Sequence, residues 1–350
     1  MATGDLVLLT GATGFLGYLT LLELLRSGYH VRAAVRSDTK AAKLRGAPSL
    51  KALAPSPAQL SFVLVPDMTS PGAYNEATNG VKYVIHCASP IPSFGEGEPP
   101  AVEQLEELLV KGAPGGVTGM LQAAAAAKTV KRVVLTSSTV ANVPFEYYLG
   151  QGTDIDTRVW TPEDRIPVAP PPYGFEFQAY SAGKAAALNA TDAFVRDNDV
   201  GFDAISILPS WIFGRDELVA DAAAMRVGST NSVLLGVLLG GTNDLAYGGN
   251  AVKGTDVAAA HVRALNPAVK GNQAFVVNTT MVWEEAIAIA KKHRPEAFAD
   301  GRLKDNGKQP TMALKWDVSK SEKILGIKFA SFESMVKEVV DQYLDLLSKK

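Results

Sequence analysis

Thr10-Gly11-Ala12-Thr13-Gly14-Phe15-Leu16-Gly17 follows the apolar run Leu6-Val7-Leu8-Leu9 and opens an amphipathic segment, 15–27, that stops at Gly28. Strand, glycine triplet and helix in that order make a cradle for a dinucleotide. Gly11 permits the tight turn, Gly14 admits a pyrophosphate to the backbone, and Gly17 lets the helix press on the strand. Phosphate oxygens then meet free N–H groups at the positive end of the helix. Gly11, Thr13, Gly14, Phe15, Leu16 and Gly17 are therefore the expected cofactor contacts.

Outward from this stretch, short β-rich runs alternate with helical ones. Strands are expected at 30–35, 60–65, 81–87, 132–137 and 202–208, with helices over 100–128 and 179–197. That rhythm predicts an α/β chain built on a Rossmann-type, doubly wound parallel sheet. Beyond 208 the repeat lapses into Gly- and Ala-rich sequence. A helix over 255–264 and a strand over 274–278 then resume it, followed by a helix over 282–292. Ser319 is placed to cap a short helix closed by Gly326, and 331–347 reads as a last amphipathic helix. Residues 1–208, rejoined by 255–280, are expected to form the dinucleotide-binding domain. Residues 209–254 and 281–350 are expected to form a smaller, C-terminal substrate lobe. The segment 142–177, rich in Pro, Gly and aromatics, reads either as a lid or binding loop or as a mobile surface insertion.

Composition narrows the function class. The chain has 350 residues, a formal charge of −2 and no basic block, which argues against nucleic acid or an anionic membrane surface as partner. Apolar runs such as 233–239 are too short to span a bilayer. Residues 1–5 carry no secretory signal pattern, and Cys87 is the single cysteine. A reducing cytoplasm is the expected setting. His30, His86, His261 and His293 are scattered without metal-ligand spacing, so no metal is expected.

The second strand bears on the choice of dinucleotide. It ends Val35-Arg36-Ser37, with no carboxylate for a ribose 2′-hydroxyl until Asp38. A guanidinium at Arg36 suits a 2′-phosphate, and Lys40 and Lys43 add positive potential downstream, so NADP(H) is expected. Asp67 and Met68 follow the third strand, where a carboxylate can meet the adenine amine and a thioether can pack on the ring. Ala88 and Ser89 follow the fourth, where small residues let backbone approach the cofactor.

Thr136-Ser137-Ser138-Thr139 ends the fifth strand, and Tyr180-Ser181-Ala182-Gly183-Lys184 lies on the next long helix. Tyr180 and Lys184, at i and i+4, share one helix face. An ammonium near a phenol favours the phenolate, so Lys184 is expected to lower the tyrosine pKa. Glycine loop, strand-end serine and Tyr-x-x-x-Lys together resemble the extended short-chain dehydrogenase/reductase superfamily. The likeness is narrower still to its dihydroflavonol-reductase-like branch, which includes fungal and yeast aldehyde and ketone reductases. Val133-Val134-Leu135, Pro209-Ser210-Trp211-Ile212-Phe213-Gly214 and Asp256-Val257-Ala258-Ala259-Ala260-His261 extend it over nearly the whole chain.

The resemblance implies an NADPH-dependent carbonyl reductase acting on a small aldehyde or ketone. By it, Ser138 polarises the carbonyl, Tyr180 donates the proton, Lys184 holds the nicotinamide ribose, and Pro209 lines the nicotinamide end. Ser137 is the rival for the serine role. Ser210 departs from the family's glycine at that position. Pro170 to Phe177 form either an apolar substrate wall or an anchor for the loop. Phe145, Tyr147, Tyr173, Phe175, Trp211 and Phe213 are candidate pocket residues, with Arg215 and Arg226 the obvious cations nearby. A nucleotide-sugar epimerase or dehydratase and a non-catalytic dinucleotide sensor are the alternatives. Relatives of this kind occur as monomers or homodimers, and the alanine tract 123–127 fits either.

Overall fold

The computed structural model describes residues 4–94 and 98–349. Seven strands form one parallel sheet: β1 (Leu6–Thr10), β2 (His30–Val35), β3 (Leu60–Leu64), β4 (Tyr83–His86), β5 (Arg132–Thr136), β6 (Asp203–Pro209) and β7 (Gln273–Val277). Their spatial order is β7-β6-β5-β4-β1-β2-β3. The order reverses at β1 and β4, the switch point at which ligands of doubly wound sheets bind. The expected fold class is the one observed.

Alternation along each strand divides the core into two layers. Val7, Leu9, Ile85 and Val134 face one side with helices α1 (Phe15–Arg26) and, late in the chain, Gly254–Ala264. Leu8, Val84, Val133 and Leu135 face the other, against α2 (Gly112–Ala127). The helix α3 (Glu176–Asp197) packs beside α2. A Cβ on Gly183 of α3 would fall 2.1 Å from the Leu109 carbonyl oxygen, so only glycine permits this approach. Arg132, at the start of β5, is 5 % exposed. It holds Asp203 through two bonds of 2.5 and 2.9 Å and donates to the carbonyls of Ala264, Asn266 and Val269.

Two elements differ from the sequence expectation. The stretch 100–128 is not one helix: a 3₁₀ turn at Val102–Gln104 and a π-helical segment at Glu106–Lys111 precede α2. Pro114 has no N–H for the carbonyl four residues back, and the wider π register precedes that defect. Ser319 is the first residue of its helix, not the cap; the Asp317 carboxylate takes its N–H at 2.9 Å. Gly326 closes that helix at φ 62, and Ser331 caps the last one, Phe332–Ser348, by accepting the Ser334 N–H.

The C-terminal region carries a small sheet of Trp211–Phe213, Asn250–Lys253 and Thr279–Thr280. Its core gathers Phe213, Leu234, Trp283, Met335 and Val339. Residues 316–329 turn back to the main sheet: the Ser321 hydroxyl donates to the Val276 carbonyl at 2.6 Å, and Leu325 and Ile327 join the α1 core. The segment 142–177 is also tied down. It contains a helical turn, Phe145–Tyr148, and a strand, Val159–Trp160, that pairs in parallel with Lys315–Trp316. Trp160 is fully enclosed there. Among the described residues, no helix is long and apolar enough to cross a membrane, and no His/Cys/Asp/Glu group could hold a metal ion.

Candidate active site

The glycine loop closes on itself before α1 begins. The Gly14 N–H donates to the Gly11 carbonyl at 3.0 Å, and a Cβ on Gly17 would lie 2.0 Å from that same oxygen. Helix and strand are thereby locked together. Gly14 stands at the N-cap without a side-chain cap, and the first turn holds no acidic residue. Unsatisfied N–H groups and the positive helix end thus face outward, a donor set that fits a pyrophosphate. Thr10 braces the cradle from behind, its hydroxyl 2.9 Å from His86 Nδ1 and accepting the Ala88 N–H at 3.1 Å.

Arg36 is exposed at the end of β2 and has no ion-pair partner among the described residues. Its charge does help stabilise the Asp67 carboxylate. That carboxylate lies mainly below its ordinary range because Thr69 and Ser70 donate to it. Lys43 is exposed on the helix Asp38–Gly46, and its field acts instead on Asp216. Met68 is half-buried with its methyl against Gly116 of α2. Ala88 and Ser89 leave β4 half-buried, and Pro209 ends β6 buried, its carbonyl 3.4 Å from the Thr139 hydroxyl.

The end of β5 brings the catalytic candidates together. Ser138 is 8 % exposed, caps the turn Thr139–Ala141, and reaches the Tyr180 phenol. Ser137 points the other way: its hydroxyl is enclosed without a partner, beside a small recess shared with His86 and Lys184. Thr139 Oγ1 lies 3.1 Å from Ser210 Oγ, so the serine that replaces the family's glycine is fixed to the β5 turn. Lys184 donates to the Thr136 carbonyl at 3.3 Å. The Thr136 hydroxyl lies 2.7 Å from His261 Nε2, while His261 Nδ1 faces the Val257 carbonyl at 2.8 Å. A carbonyl can only accept, so Nδ1 carries the proton and Thr136 donates to Nε2. Burial holds His261 at about 4, neutral at physiological pH.

The electrostatics correct one expectation. Burial pushes the Tyr180 phenol up to about 12, and the Ser138 hydrogen bond is what opposes it. Lys184 does not lower the tyrosine here. Burial has lowered Lys184 itself to about 8, and its ammonium is directed at the Thr136 carbonyl and the face of the tyrosine ring. Helix spacing gave the two side chains one face, but enclosure by the whole fold sets the sign of the shift.

Above Ser138 and Tyr180 opens a cavity of about 540 Å³. Phe145, Phe175, Phe177, Trp211 and Tyr247 wall it, with Trp211 and Tyr247 stacked at 5.4 Å. Among the described residues no Lys, Arg, His or Asp lines it. The one carboxylate among the described lining residues, Glu176, accepts the Ser93 N–H at 3.0 and 3.2 Å. Arg215 and Arg226 do not line it; Arg215 pairs with Asp345 at 3.4 Å. The proline-rich stretch serves both expected purposes. Tyr173 is a core anchor that donates to the Ala169 carbonyl at 2.7 Å, while Phe175 and Phe177 form wall.

Of the other candidate pocket aromatics, Tyr147 packs edge-on against Trp160 and Phe213 is enclosed beside Trp283. Tyr148, Tyr247, Asn250 and Trp316 line the cavity without having been singled out by sequence. Tyr148 had a usable signal, since it follows Phe145 at i+3 on one face of a helical turn. Tyr247 and Asn250 lie on short strands whose partners are remote in sequence, and no local pattern marks them.

The NAD dependent epimerase/dehydratase family model matches residues 7–278. Ketoreductase CTB6 of Cercospora nicotianae is 35% identical over 354 residues, covering 99% of this chain and 96% of that protein. Gre2 of Candida albicans, solved in complex with NADPH, superposes with a TM-score of 0.78 at 23% identity, covering 98% and 99% of the two chains. Vestitone reductase from alfalfa gives a TM-score of 0.68 at 24% identity, with 97% and 98% covered. These two likenesses concern the fold. With the family model spanning the sheet from β1 to β7, this chain belongs to the NAD dependent epimerase/dehydratase family, the extended short-chain dehydrogenase/reductases its motifs resemble.

Proposed function

We propose that the chain is an NADPH-dependent carbonyl reductase that converts aldehydes or ketones with apolar substituents to alcohols. The observation that carries this reading is that Ser138 and Tyr180 share the base of a cavity with aromatic walls and no cation among its described lining residues. Bound NADPH supplies the hydride. Ser138 and Tyr180 aim donors at the carbonyl oxygen, where negative charge develops. A phenol held near 12 is protonated at neutral pH, the form a proton donor requires, and an alkoxide is basic enough to take that proton. Lys184 and Tyr180 hold the nicotinamide ribose, and Pro209 lines the nicotinamide end.

Arg36 carries the preference for the 2′-phosphate, with Lys43 adding weaker positive potential. Asp67 and Met68 bound the adenine end, and Ala88 and Ser89 the strand-end wall. The NADPH bound to Gre2 and the name ketoreductase borne by CTB6 support the reading. In this reading, residues 1–208 with 255–280 hold the dinucleotide, and the segment 142–177 shapes the substrate pocket together with the C-terminal region. The single cysteine fits a reducing cytoplasm. Nucleotide-sugar chemistry fits less well, because a pyrophosphate wants cations that this cavity lacks among its described residues.

The test is NADPH consumption, followed at its near-ultraviolet absorbance, against aromatic aldehydes, diketones and β-keto esters. Turnover of at least one class is expected. Purified protein that retains tightly bound NAD and oxidises NADPH with none of them overturns the reading.

A further inference from the structure

We infer that His261 is a positioning residue for Lys184: by holding the Thr136 hydroxyl, it fixes the strand end whose carbonyl the Lys184 ammonium meets. The inference rests on the reductase reading above, in which Lys184 holds the nicotinamide ribose, and names a residue on which that hold depends. Lys184 reaches the end of β5 from α3, on one face of the sheet. His261 reaches it from the helix Gly254–Ala264, packed on the opposite face. The last residue of β5 is thus gripped from both sides.

Each bond of this grip has a defined direction. The β4–β5 pairing ends at His86 and Leu135, and just beyond it Lys184 donates to the Thr136 carbonyl at 3.3 Å. The N–H of the same peptide unit, from Ser137, donates to the Ile207 carbonyl at 2.8 Å. The Thr136 hydroxyl donates to His261 Nε2 at 2.7 Å, and Nδ1–H is spent on the Val257 carbonyl at 2.8 Å. Both ring nitrogens are committed, so the imidazole has one tautomer and one orientation. Burial keeps the ring neutral, so Nε2 remains an acceptor at physiological pH.

A histidine in this place is costly. It is fully enclosed, and the enclosed residues around it on the helix, Val257, Ala260, Val262 and Ala264, are apolar. An apolar side chain there would avoid the desolvation of an imidazole. What the histidine adds is one acceptor, aimed at the residue that holds Lys184 and lies two positions before Ser138. Among the described residues, the Thr136 carbonyl is the only hydrogen-bond partner of the Lys184 ammonium. A strand end that shifts therefore carries the lysine with it, and small misplacements of such groups are expensive.

Calorimetry of NADPH binding to the full chain tests this through a double-mutant cycle on His261 and Lys184. His261→Leu is expected to weaken binding roughly fivefold to tenfold. His261→Gln, which keeps an acceptor near the Nε2 position, is expected to stay within about twofold of wild type. In a Lys184→Met background, His261→Leu is expected to leave binding unchanged, because the hold it supports is gone. A general loosening of the fold would weaken binding in both backgrounds. An equal loss with and without the lysine therefore overturns the inference, as does a His261→Leu chain that binds like wild type. If His261→Leu fails to fold, Thr136→Val removes the same bond from its other end and is read in the same two backgrounds. The cycle uses no carbonyl substrate. Coupling between the two residues with no ketone reduced sinks the reductase reading and leaves this role standing; ketone reduction without coupling does the reverse.

Discussion

The Lys184 ammonium lies 5.7 Å from the centroid of the Tyr180 ring, over its face, while its hydrogen bond goes to the Thr136 carbonyl. The i and i+4 pair is thus in contact, yet the lysine does not depress the phenol. Lys184 is buried and Tyr180 half-buried at the base of the cavity, and burial penalises each charged form: the tyrosine rises to about 12 and the lysine falls to about 8.

That geometry makes Lys184 a measurable burden on stability. Its folded-state value of about 8 lies below the ordinary 10.5. Below pH 8 the lysine is protonated in both states, and the folded chain bears the full cost. Between about 8 and 10.5 the folded state sheds that proton first, so stability rises with pH across this window. Lys184→Met is expected to raise the unfolding free energy by roughly 1–3 kcal/mol at pH 7, with the gain vanishing near pH 10.5. NADPH oxidation should fall at least about 100-fold in the same variant. Denaturant unfolding at the two pH values checks the first part; equal gains at both contradict it.

Arg36 is the residue proposed to bear the choice between dinucleotides. It is exposed, so Arg36→Ala should leave the melting temperature within about a degree or two. The preference for NADPH over NADH in kcat/KM is expected to drop by roughly ten- to a hundredfold, through KM. An unchanged preference removes Arg36 from the cofactor site.

Ser137 and Ser138 are adjacent in sequence and face different spaces. Ser138 opens on the cavity with Tyr180; Ser137 is shut in beside His86 and Lys184. Ser138→Ala should cost roughly 100-fold in kcat, the effect of losing one donor to an oxyanion. Ser137→Ala should cost only a few-fold. Steady-state kinetics of the pair separates them, and the reverse ranking exchanges their roles.

The fold was legible in sequence because its signals are local. The glycine loop declares a strand-to-helix turn, and β1, β2 and β5 are apolar runs bounded by breakers, so their edges were read to within a residue. The π-helical segment at Glu106–Lys111 was not, since it depends on a missing donor at Pro114 and on packing against α3. The candidate trio of Ser138, Tyr180 and Lys184 was identifiable by order and spacing. The direction of the tyrosine shift was not, because burial is a property of the assembled layers. The pocket lay in between. Phe145, Phe175 and Trp211 do line it, but Tyr147, Tyr173 and Phe213 turn into the core. Which side of an irregular segment faces inward is decided here by the pairing of Val159–Trp160 with Lys315–Trp316, residues more than 150 positions apart.

The Tyr180 phenol is proposed to deliver the proton to a carbonyl reduced by NADPH. Single-turnover NADPH oxidation by Tyr180→Phe, with a ketone that the wild type reduces, tests it most directly. Phenylalanine keeps the ring over which Lys184 lies and removes only the hydroxyl. The expected result is unimpaired NADPH binding with the hydride step slowed roughly 100- to 10,000-fold. A variant that reduces the ketone at the wild-type rate contradicts the claim.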